Sequence, residues 1–110
     1  MKVLLACVAV VAAAPASAQK APQCGQFPPE ASSLLCLCPD GSHQGRAWGS
    51  GAYTADSDIC SAARHAGVLG PEGGTVAILL TGPQDGFAAS TANGVQTNAW
   101  GAYDGSFLFR

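Results

Sequence analysis

The sequence predicts a small α+β domain in which one central helix, at about residues 57–66, is enclosed by short antiparallel strands. Three observations carry this prediction. Residues 56–67 combine acidic and hydroxyl side chains, small apolar residues at helical spacing, and a terminal glycine. Short β-branched or aromatic runs, separated by turn dipeptides, follow that stretch. Four cysteines outside the first 18 residues are enough for two disulfides that staple the domain.

The first 18 residues are typical of a secretory signal peptide and are excluded from the fold. Lys2 gives a positive start, residues 3–14 are apolar, and Ala16-Ser17-Ala18 is a small-residue cleavage site. The apolar run is shorter than the roughly 20 residues that span a bilayer. We expect cleavage after Ala18 and a secreted or periplasmic protein. Lipoprotein processing at Cys7 is the alternative, because Leu4-Leu5-Ala6-Cys7 is similar to a lipoprotein box.

The charge pattern excludes several classes of partner. The chain has five basic and seven acidic side chains, and loss of Lys2 with the signal peptide changes the formal charge from −2 to −3. There is no basic patch, so neither nucleic acid nor an anionic membrane surface is an expected partner. No transmembrane segment is predicted. Charged residues are 11% of the chain, so the surface should be rich in small polar side chains.

Two segments precede the helix. Residues 19–30 contain three prolines and predict an extended arm pinned by Cys24, with the domain proper over residues 31–110. Residues 31–38 predict a short strand leading into the Cys38-Pro39-Asp40-Gly41 turn. Residues 46–53 alternate weakly and are interrupted by Gly49 and Gly51. That pattern predicts a strand with a bulge or a close backbone approach.

The helix is predicted from its start, its apolar face and its end. Asp56 or Ser57 can cap the N-terminus, where negative charge also suits the helix dipole. The predicted apolar face consists of Ile59, Ala62, Ala63 and Ala66. Ser61 is expected away from that face. Gly67 is well placed as the left-handed residue that ends the helix.

Strands and turns fill the rest of the chain. Residues 75–80 predict a buried strand from their length and β-branched content. Asn93-Gly94 is a tight-turn dipeptide, expected between short strands at 87–90 and 95–97. The last strand, Ser106–Phe109, should place Phe107 and Phe109 on one face.

The remaining cysteines are Cys24, Cys36, Cys38 and Cys60. They permit three pairings, and their spacing does not choose among them. We expect Cys36 and Cys38 to point to opposite faces and to bond different partners, so a bridge between them is least favoured. A zinc site would have to use Cys36, Cys38, His43 and Cys60. Their irregular spacing disfavours it, so no metal is predicted.

Several motifs, in order and at compatible spacing, resemble those of the LCCL domain family. They are Cys38-Pro39, Trp48-Gly49, Gly51-Ala52-Tyr53-Thr54, Asp56-Ser57-Asp58-Ile59-Cys60, Ala62-Ala63, His65-Ala66-Gly67-Val68, Gly73-Gly74, Asn93-Gly94-Val95-Gln96-Thr97 and Ser106-Phe107. The resemblance covers about residues 24–110. It implies a central helix within β-structure, an extracellular location, two disulfides, and a non-catalytic binding or adhesion role. Lipopolysaccharide binding is proposed for some members.

The chain departs from the family pattern at one cysteine. Where that pattern has Cys-Pro-x-Gly-Cys, this chain has Cys38-Pro39-Asp40-Gly41-Ser42, and its fourth cysteine is Cys36. Carried over position by position, the resemblance implies the pairs Cys24–Cys38 and Cys36–Cys60. The pairs Cys24–Cys36 and Cys38–Cys60 are the alternative.

No catalytic residue or cofactor is predicted. The chain contains no G-x-S-x-G, H-E-x-x-H or P-loop motif. A small hydrolase and a thiol oxidoreductase are the less favoured hypotheses. For the second, Cys36-Leu37-Cys38 lacks the C-x-x-C helix start that lowers a thiol pKa.

The candidate binding residues are Trp48, Tyr53, Arg64, His65 and Trp100. The aromatic ones, with Tyr103, form either a platform for sugar or lipid or part of the core. Arg64 is either a ligand contact or a solvated charge, and His65 either a ligand contact or a helix-end histidine. The predicted function is an exported, non-catalytic binding or adhesion module for envelope glycan, lipid A or a protein surface. The alternative is a structural or interaction domain of the cell envelope without a small ligand.

Overall fold

A computed structural model describes residues 21–25, 31–40 and 44–110. The strands in these residues are β1 (Ser33–Cys38), β2 (Gly49–Ser50), β3 (Ala52–Thr54), β4 (Gly74–Thr81), β5 (Thr91–Ala92), β6 (Val95–Gln96) and β7 (Ser106–Phe109), and the helix is α1 (Ile59–Ala66). The predicted signal peptide, His43 and part of the predicted arm lie outside the described residues. No helix within the described ranges is long and apolar enough to cross a membrane.

The main sheet has five strands in the order β1-β4-β7-β3-β2, and all neighbours are antiparallel. Side chains of β1, β3, β4 and β7 meet the helix in one core. The buried members of that core include Cys36, Cys38, Tyr53, Ile59, Ala62, Ala63, Val76, Ile78 and Phe107. The predicted α+β class, one short helix packed with antiparallel strands, is therefore confirmed.

A single long hairpin forms the second half of the domain. Ile78 faces Phe109 at its base, Phe87 faces Trp100 farther along, and Thr91 faces Gln96 near its tip. Each step along one arm is matched by an equal step along the other, so the register is unbroken. Residues 87–90 form only a bridge in it, and the predicted strand there is wrong. Regular pairing resumes at β5.

The tip of the hairpin is the predicted Asn93-Gly94 turn. Both residues have positive φ, 52° and 80°, as a two-residue mirror-image turn requires. The Asn93 side chain donates to the carbonyl oxygen of His65 at 2.9 Å. The hairpin therefore pairs within the sheet at its base and rests on the helix C-terminus at its tip.

Helix α1 begins two residues later than the predicted 57–66. Asp58 is the N-cap, and its carboxylate accepts from the backbone N–H of Ser61 at 2.9 Å. Asp56 and Ser57, the expected caps, have other partners described below. Gly67 ends the helix with φ 81°, as predicted.

The helix buries more of its surface than the predicted apolar face. Ile59, Ala62 and Ala63 are buried, but Ala66 is exposed. Ser61 was expected to point away from the core, yet it is fully buried. Its hydroxyl donates to the Gly45 carbonyl at 3.1 Å, which satisfies this buried polar group.

The segment 46–53 is two short strands with a turn at Gly51, not the single strand predicted. Gly51 has φ 82°, and Ser50 pairs with Ala52 across it. The predicted close backbone approach is confirmed at Gly49, where a Cβ would overlap the carbonyl oxygen of Ala52. With φ 117°, that position also favours glycine.

The disulfides join Cys24 to Cys36 and Cys38 to Cys60. The pairing implied by the family resemblance is therefore wrong, and the alternative is observed. The N-terminal segment explains why. Cys24 donates its backbone N–H to Leu37 at 2.8 Å, which places it beside β1, with its Cα 4.9 Å from that of Cys36.

The expected orientation of Cys36 and Cys38 is also wrong. Residues two apart in a strand point to the same side, and both of these side chains are buried against the helix. They still bond different partners, because the N-terminal segment lies next to one and the helix lies next to the other. The sulfur atoms of Cys24 and Cys38 consequently approach to 3.6 Å.

The positions of the cysteine sulfur atoms bear on two hypotheses from the sequence, a zinc site and a thiol oxidoreductase. The sulfur atoms of Cys24, Cys38 and Cys60 lie within 4.8 Å of one another, but all three belong to disulfides and present no thiolate to a metal. Cys36 and Cys38 are 1% and 0% exposed, so the bridges are inaccessible from this side to a thiol substrate.

Replacing Cys38 and Cys60 together by alanine tests the link between β1 and α1. We expect the free energy of unfolding to fall by about 3 kcal/mol, because the unfolded chain loses a closed loop. Urea denaturation of the mature chain measures this. A loss below about 1 kcal/mol would contradict the central position of this bridge.

Two double cysteine variants test which cysteines are bonded to each other. The double variant Cys24→Ala/Cys36→Ala should leave no free thiol, whereas Cys24→Ala/Cys38→Ala should leave two. Thiol titration of the denatured chain, produced from Gln19 onward so that Cys7 is absent, distinguishes them. The opposite pattern would restore the pairing implied by the family.

Candidate functional site

An aromatic pocket is the candidate site. It has a volume of about 40 Å³ and is lined by Trp48, Thr54, Asp56, Trp100 and Tyr103. The centroids of the two indole rings are 6.4 Å apart, and their planes cross at 72°. Trp100 is 52% exposed, so the pocket opens to solvent beside a large apolar surface.

Backbone pairing positions the three aromatic residues. Trp48 forms a parallel bridge with Asn98, outside the ordinary strands. Trp100 exchanges two backbone hydrogen bonds with Phe87, at 2.8 and 3.0 Å, and Tyr103 pairs in the same way with Gln84. Since Trp100 and Tyr103 belong to one arm of the long hairpin, the register of the hairpin sets the spacing between their rings.

Two buried hydroxyl groups hold Trp48 against the start of the helix. The Ser57 hydroxyl oxygen accepts from the backbone N–H of Trp48 at 3.0 Å. It also lies 2.8 Å from the hydroxyl of Thr54. Ser57 therefore supports the pocket wall in place of capping the helix.

Asp56 contributes a negative charge to the pocket. The pKa of the Tyr103 phenol is raised. The largest cause is burial, and the next is the Asp56 carboxylate, which accepts a hydrogen bond from the phenol. Asp104 acts in the same direction. The phenol thus stays protonated at neutral pH and holds Asp56 in the pocket wall. Sequence reasoning missed this role because an acidic residue before a helix is ordinarily a cap.

A wider depression adjoins the aromatic pocket. It has a volume of about 290 Å³ and shares Trp48 and Asp56 with the pocket. Its other described lining residues are Gly25, Arg46, Ser57 and Asp58. The cap residue Asp58 therefore also faces a cavity.

Tyr53 and His65, both predicted binding residues, lie in the core instead. Tyr53 is 0% and His65 5% exposed, and the Tyr53 hydroxyl is 2.8 Å from Nδ1 of His65. Burial raises the pKa of Tyr53, partly offset by a hydrogen bond at Gly51. Neither residue presents a surface to a ligand in this structure.

The hydrogen bonds around His65 have one consistent direction. Ser50 donates its only hydroxyl proton to the carbonyl oxygen of Ala88, so in its 2.6 Å contact with Ser90 it must accept. Ser90 has then used its own proton, and it accepts from Nε2–H of His65 at 2.9 Å. Nδ1 is left as the acceptor for Tyr53.

This direction decides what the serine–histidine contact can do. A histidine that acts as a general base must accept the serine proton, as in serine hydrolases. Here Nε2 of His65 carries the proton and Ser90 accepts it. The contact therefore links structural elements and does not activate a nucleophile.

The remaining candidate residues divide into those that line the pocket and one that does not. Trp48 and Trp100 lie side by side and both line the pocket. Arg64 is partly exposed and lines neither cavity. Tyr103, grouped with these aromatic residues in the sequence analysis, also lines the pocket.

Fold and site together define a small disulfide-stapled α+β module with an aromatic pocket. The LCCL domain family model matches residues 14–107, so the chain belongs to the LCCL domain family. The resemblance stated from sequence motifs is confirmed.

Three relatives illustrate the match. Vitrin from Mus musculus is 34% identical over 77 residues, which are 68% of this chain and 12% of vitrin. Clotting factor C from Tachypleus tridentatus is 36% identical over 74 residues, 66% of this chain and 7% of that protein. Cochlin from Mus musculus is 33% identical over 73 residues, 64% of this chain and 13% of cochlin. The match spans one small part of each of these proteins.

Removing the Tyr53 hydroxyl tests the buried hydrogen bonds. In Tyr53→Phe the acceptor Nδ1 of His65 loses its donor inside the core, and we expect a loss of about 1–3 kcal/mol in unfolding free energy. Urea denaturation measures this.

Tyr103→Phe is the matched control, since it also removes one phenol oxygen. Asp56 is exposed and can bond water instead, so a loss below about 1 kcal/mol is expected. Equal losses in the two variants would contradict the structural role of the Tyr53–His65 pair. Imidazole nitrogen chemical shifts should independently show the proton on Nε2.

Proposed function

We propose that this chain is an exported, non-catalytic binding module and that the aromatic pocket is its ligand site. Membership of the LCCL family supports a binding role, and the signal-like N-terminus supports export to the periplasm or beyond the cell. Lipid attachment at Cys7 remains the alternative route to the envelope.

One observation carries the assignment of the site. Trp100 is half exposed, its backbone is fixed by two hydrogen bonds to Phe87, and its indole ring packs edge-to-face with that of Trp48. Exposed, rigidly held tryptophans are the residues that contribute most at binding sites, because they bury large area at little cost in side-chain entropy. A purely inert surface would not require this arrangement.

The sequence analysis gives three ligand classes: envelope glycan, lipid A and a protein surface. The Asp56 carboxylate lies in the pocket wall, and Asp58 lines the adjoining depression. Negative charge at these positions repels the phosphates of lipid A. A neutral or cationic group on a glycan or on a protein surface is therefore favoured over lipid A.

Replacing Trp100 by alanine tests the site. The oxidised chain is first titrated with a panel of envelope glycans, lipid A vesicles and model peptides. For the panel member that binds it, we expect the substitution to lower the affinity at least tenfold. Isothermal titration calorimetry measures it without relying on tryptophan fluorescence.

Val68→Ala is the control variant. Val68 is 49% exposed, so the substitution removes a comparably exposed apolar side chain, and it lines neither cavity. Affinity should be unchanged. Equal binding by Trp100→Ala and the native chain, or no binding to any member of the panel, would contradict the proposed site.

A second candidate function has its own observation. The outer face of the main sheet alternates with the residues that face the helix. It includes the apolar residues Leu35, Leu37, Ala77, Leu79 and Leu108 with the polar residues Ser33 and Thr75. Leu35 is 56% exposed there. An apolar outer face is unusual for an antiparallel sheet, which commonly has one polar side. It favours a structural or interaction domain that packs through this face.

Leu35→Asp tests this second function. If the outer face packs against another copy, the native chain should sediment as a species larger than a monomer at high concentration, and the variant as a monomer, because a buried unpaired carboxylate is costly. Leu35→Ala should have a smaller effect. A monomeric native chain at all concentrations would remove self-association as the role of this face.

A further inference from the structure

We propose that the aromatic pocket binds the positively charged head of an alkylated ammonium compound, a quaternary trimethylammonium group being the best fit. This inference rests on the proposed use of the pocket as the ligand site. It adds the chemical class of the group that enters the pocket.

The arrangement of the two tryptophans is the first reason. Their planes cross at 72° with centroids 6.4 Å apart, so they form a corner and not a flat platform. A sugar ring stacks on one flat aromatic face, whereas a corner contacts a compact group from two sides. Cations are attracted to the face of an indole ring within about 6 Å of its centroid, which makes a corner of two indoles favourable for a small cation.

Charge is the second reason. Asp56 lies in the pocket wall, Asp58 lines the adjoining depression, and Asp104 is close enough to Tyr103 to act on its phenol. Arg46 is the basic residue among the described lining residues of the depression, and the pocket itself has none. The local charge is therefore negative, which favours a cation over a phosphate or carboxylate ligand.

The hydrogen-bonding capacity of the pocket selects the kind of cation. A primary ammonium has three N–H groups that need acceptors. The Thr54 hydroxyl is already bonded to Ser57, which leaves the Asp56 carboxylate as the charged acceptor of the pocket, on one side of the ammonium only. The indole rings offer no acceptor atoms. A fully alkylated ammonium has no N–H to satisfy and needs only the charge of Asp56 and the ring faces.

Size and rigidity agree with this choice. The pocket volume of about 40 Å³ favours a small group at the end of a ligand. Trp48, Trp100 and Tyr103 are each held by backbone pairing with Asn98, Phe87 and Gln84. Because the backbone beneath the pocket walls is fixed before the ligand arrives, binding has only side chains to order.

The test compares a cation with a neutral molecule of the same shape. Choline and 3,3-dimethyl-1-butanol are titrated into the full oxidised chain, and the two indole N–H signals are followed by NMR. We expect choline to shift both signals saturably. The neutral alcohol should bind roughly tenfold more weakly, because it lacks the cation–π and carboxylate attraction.

Two variants and a charge-matched control complete the test. Trp100→Ala and Asp56→Asn should each weaken choline binding roughly fivefold or more, by loss of a ring face and of the carboxylate charge. Glu72→Gln removes the same unit of charge at an exposed residue that lines neither cavity. It should leave choline affinity within about twofold of the native value, because exposed distant charges are screened.

A further arm distinguishes two sources of the same head group. Free choline and phosphatidylcholine vesicles are compared, the second by co-sedimentation with the chain. Binding to both indicates that a lipid head group is accepted. Binding of choline alone indicates a small soluble compound.

The outcomes separate this inference from the function on which it rests. Equal affinity for choline and the neutral alcohol, or binding of a neutral glycan at Trp100 without any choline binding, would overturn the ammonium assignment and leave the pocket as a binding site. No shift of either indole signal with any ligand of the panel would overturn both. Loss of choline binding in Glu72→Gln as large as in Asp56→Asn would also overturn the assignment.

Discussion

A buried histidine with both ring nitrogens occupied connects the parts of this domain. Tyr53 of β3 donates to Nδ1 of His65, and Nε2–H donates to Ser90 in the hairpin. Ser90 then donates to Ser50 of β2. A neutral imidazole has one donor and one acceptor, so the series satisfies every member only when it runs in this direction. The sheet, the helix and the hairpin are thereby tied together at one point in the core.

The hairpin links the hydrogen bonds of His65 to the aromatic pocket at the surface. Its unbroken register brings Ser90 to the helix and, on the opposite arm, Trp100 to the neighbourhood of Trp48. The pocket therefore depends on regular backbone pairing more than on a free loop. Sites supported in this way keep their backbone geometry without a ligand.

One cysteine of this chain lies at a different position from that in the family pattern, and the disulfides differ accordingly. Cys36 takes the place of a cysteine that the family pattern puts after the Cys-Pro turn, and it bonds the N-terminal segment at the edge of β1. Cys38, which the position-by-position comparison pairs with Cys24, instead bonds the helix through Cys60. Both bridges therefore differ from the pairing that the family pattern implies, and the one between sheet and helix uses the cysteine of the Cys-Pro motif.

Local pattern determined much of the fold. The helix from its spacing and Gly67, the strands β1, β4 and β7, the Asn93-Gly94 turn and the number of disulfides all follow from neighbours in the sequence. Only the tertiary structure decided which aromatic residues are inside. Tyr53 and Trp100 have similar local surroundings in the sequence, yet one is enclosed by β7 and the helix and the other lies on an open hairpin arm. Burial, the partner of Cys24 and the role of Asp56 depend on contacts between residues far apart in the chain, which no local pattern specifies.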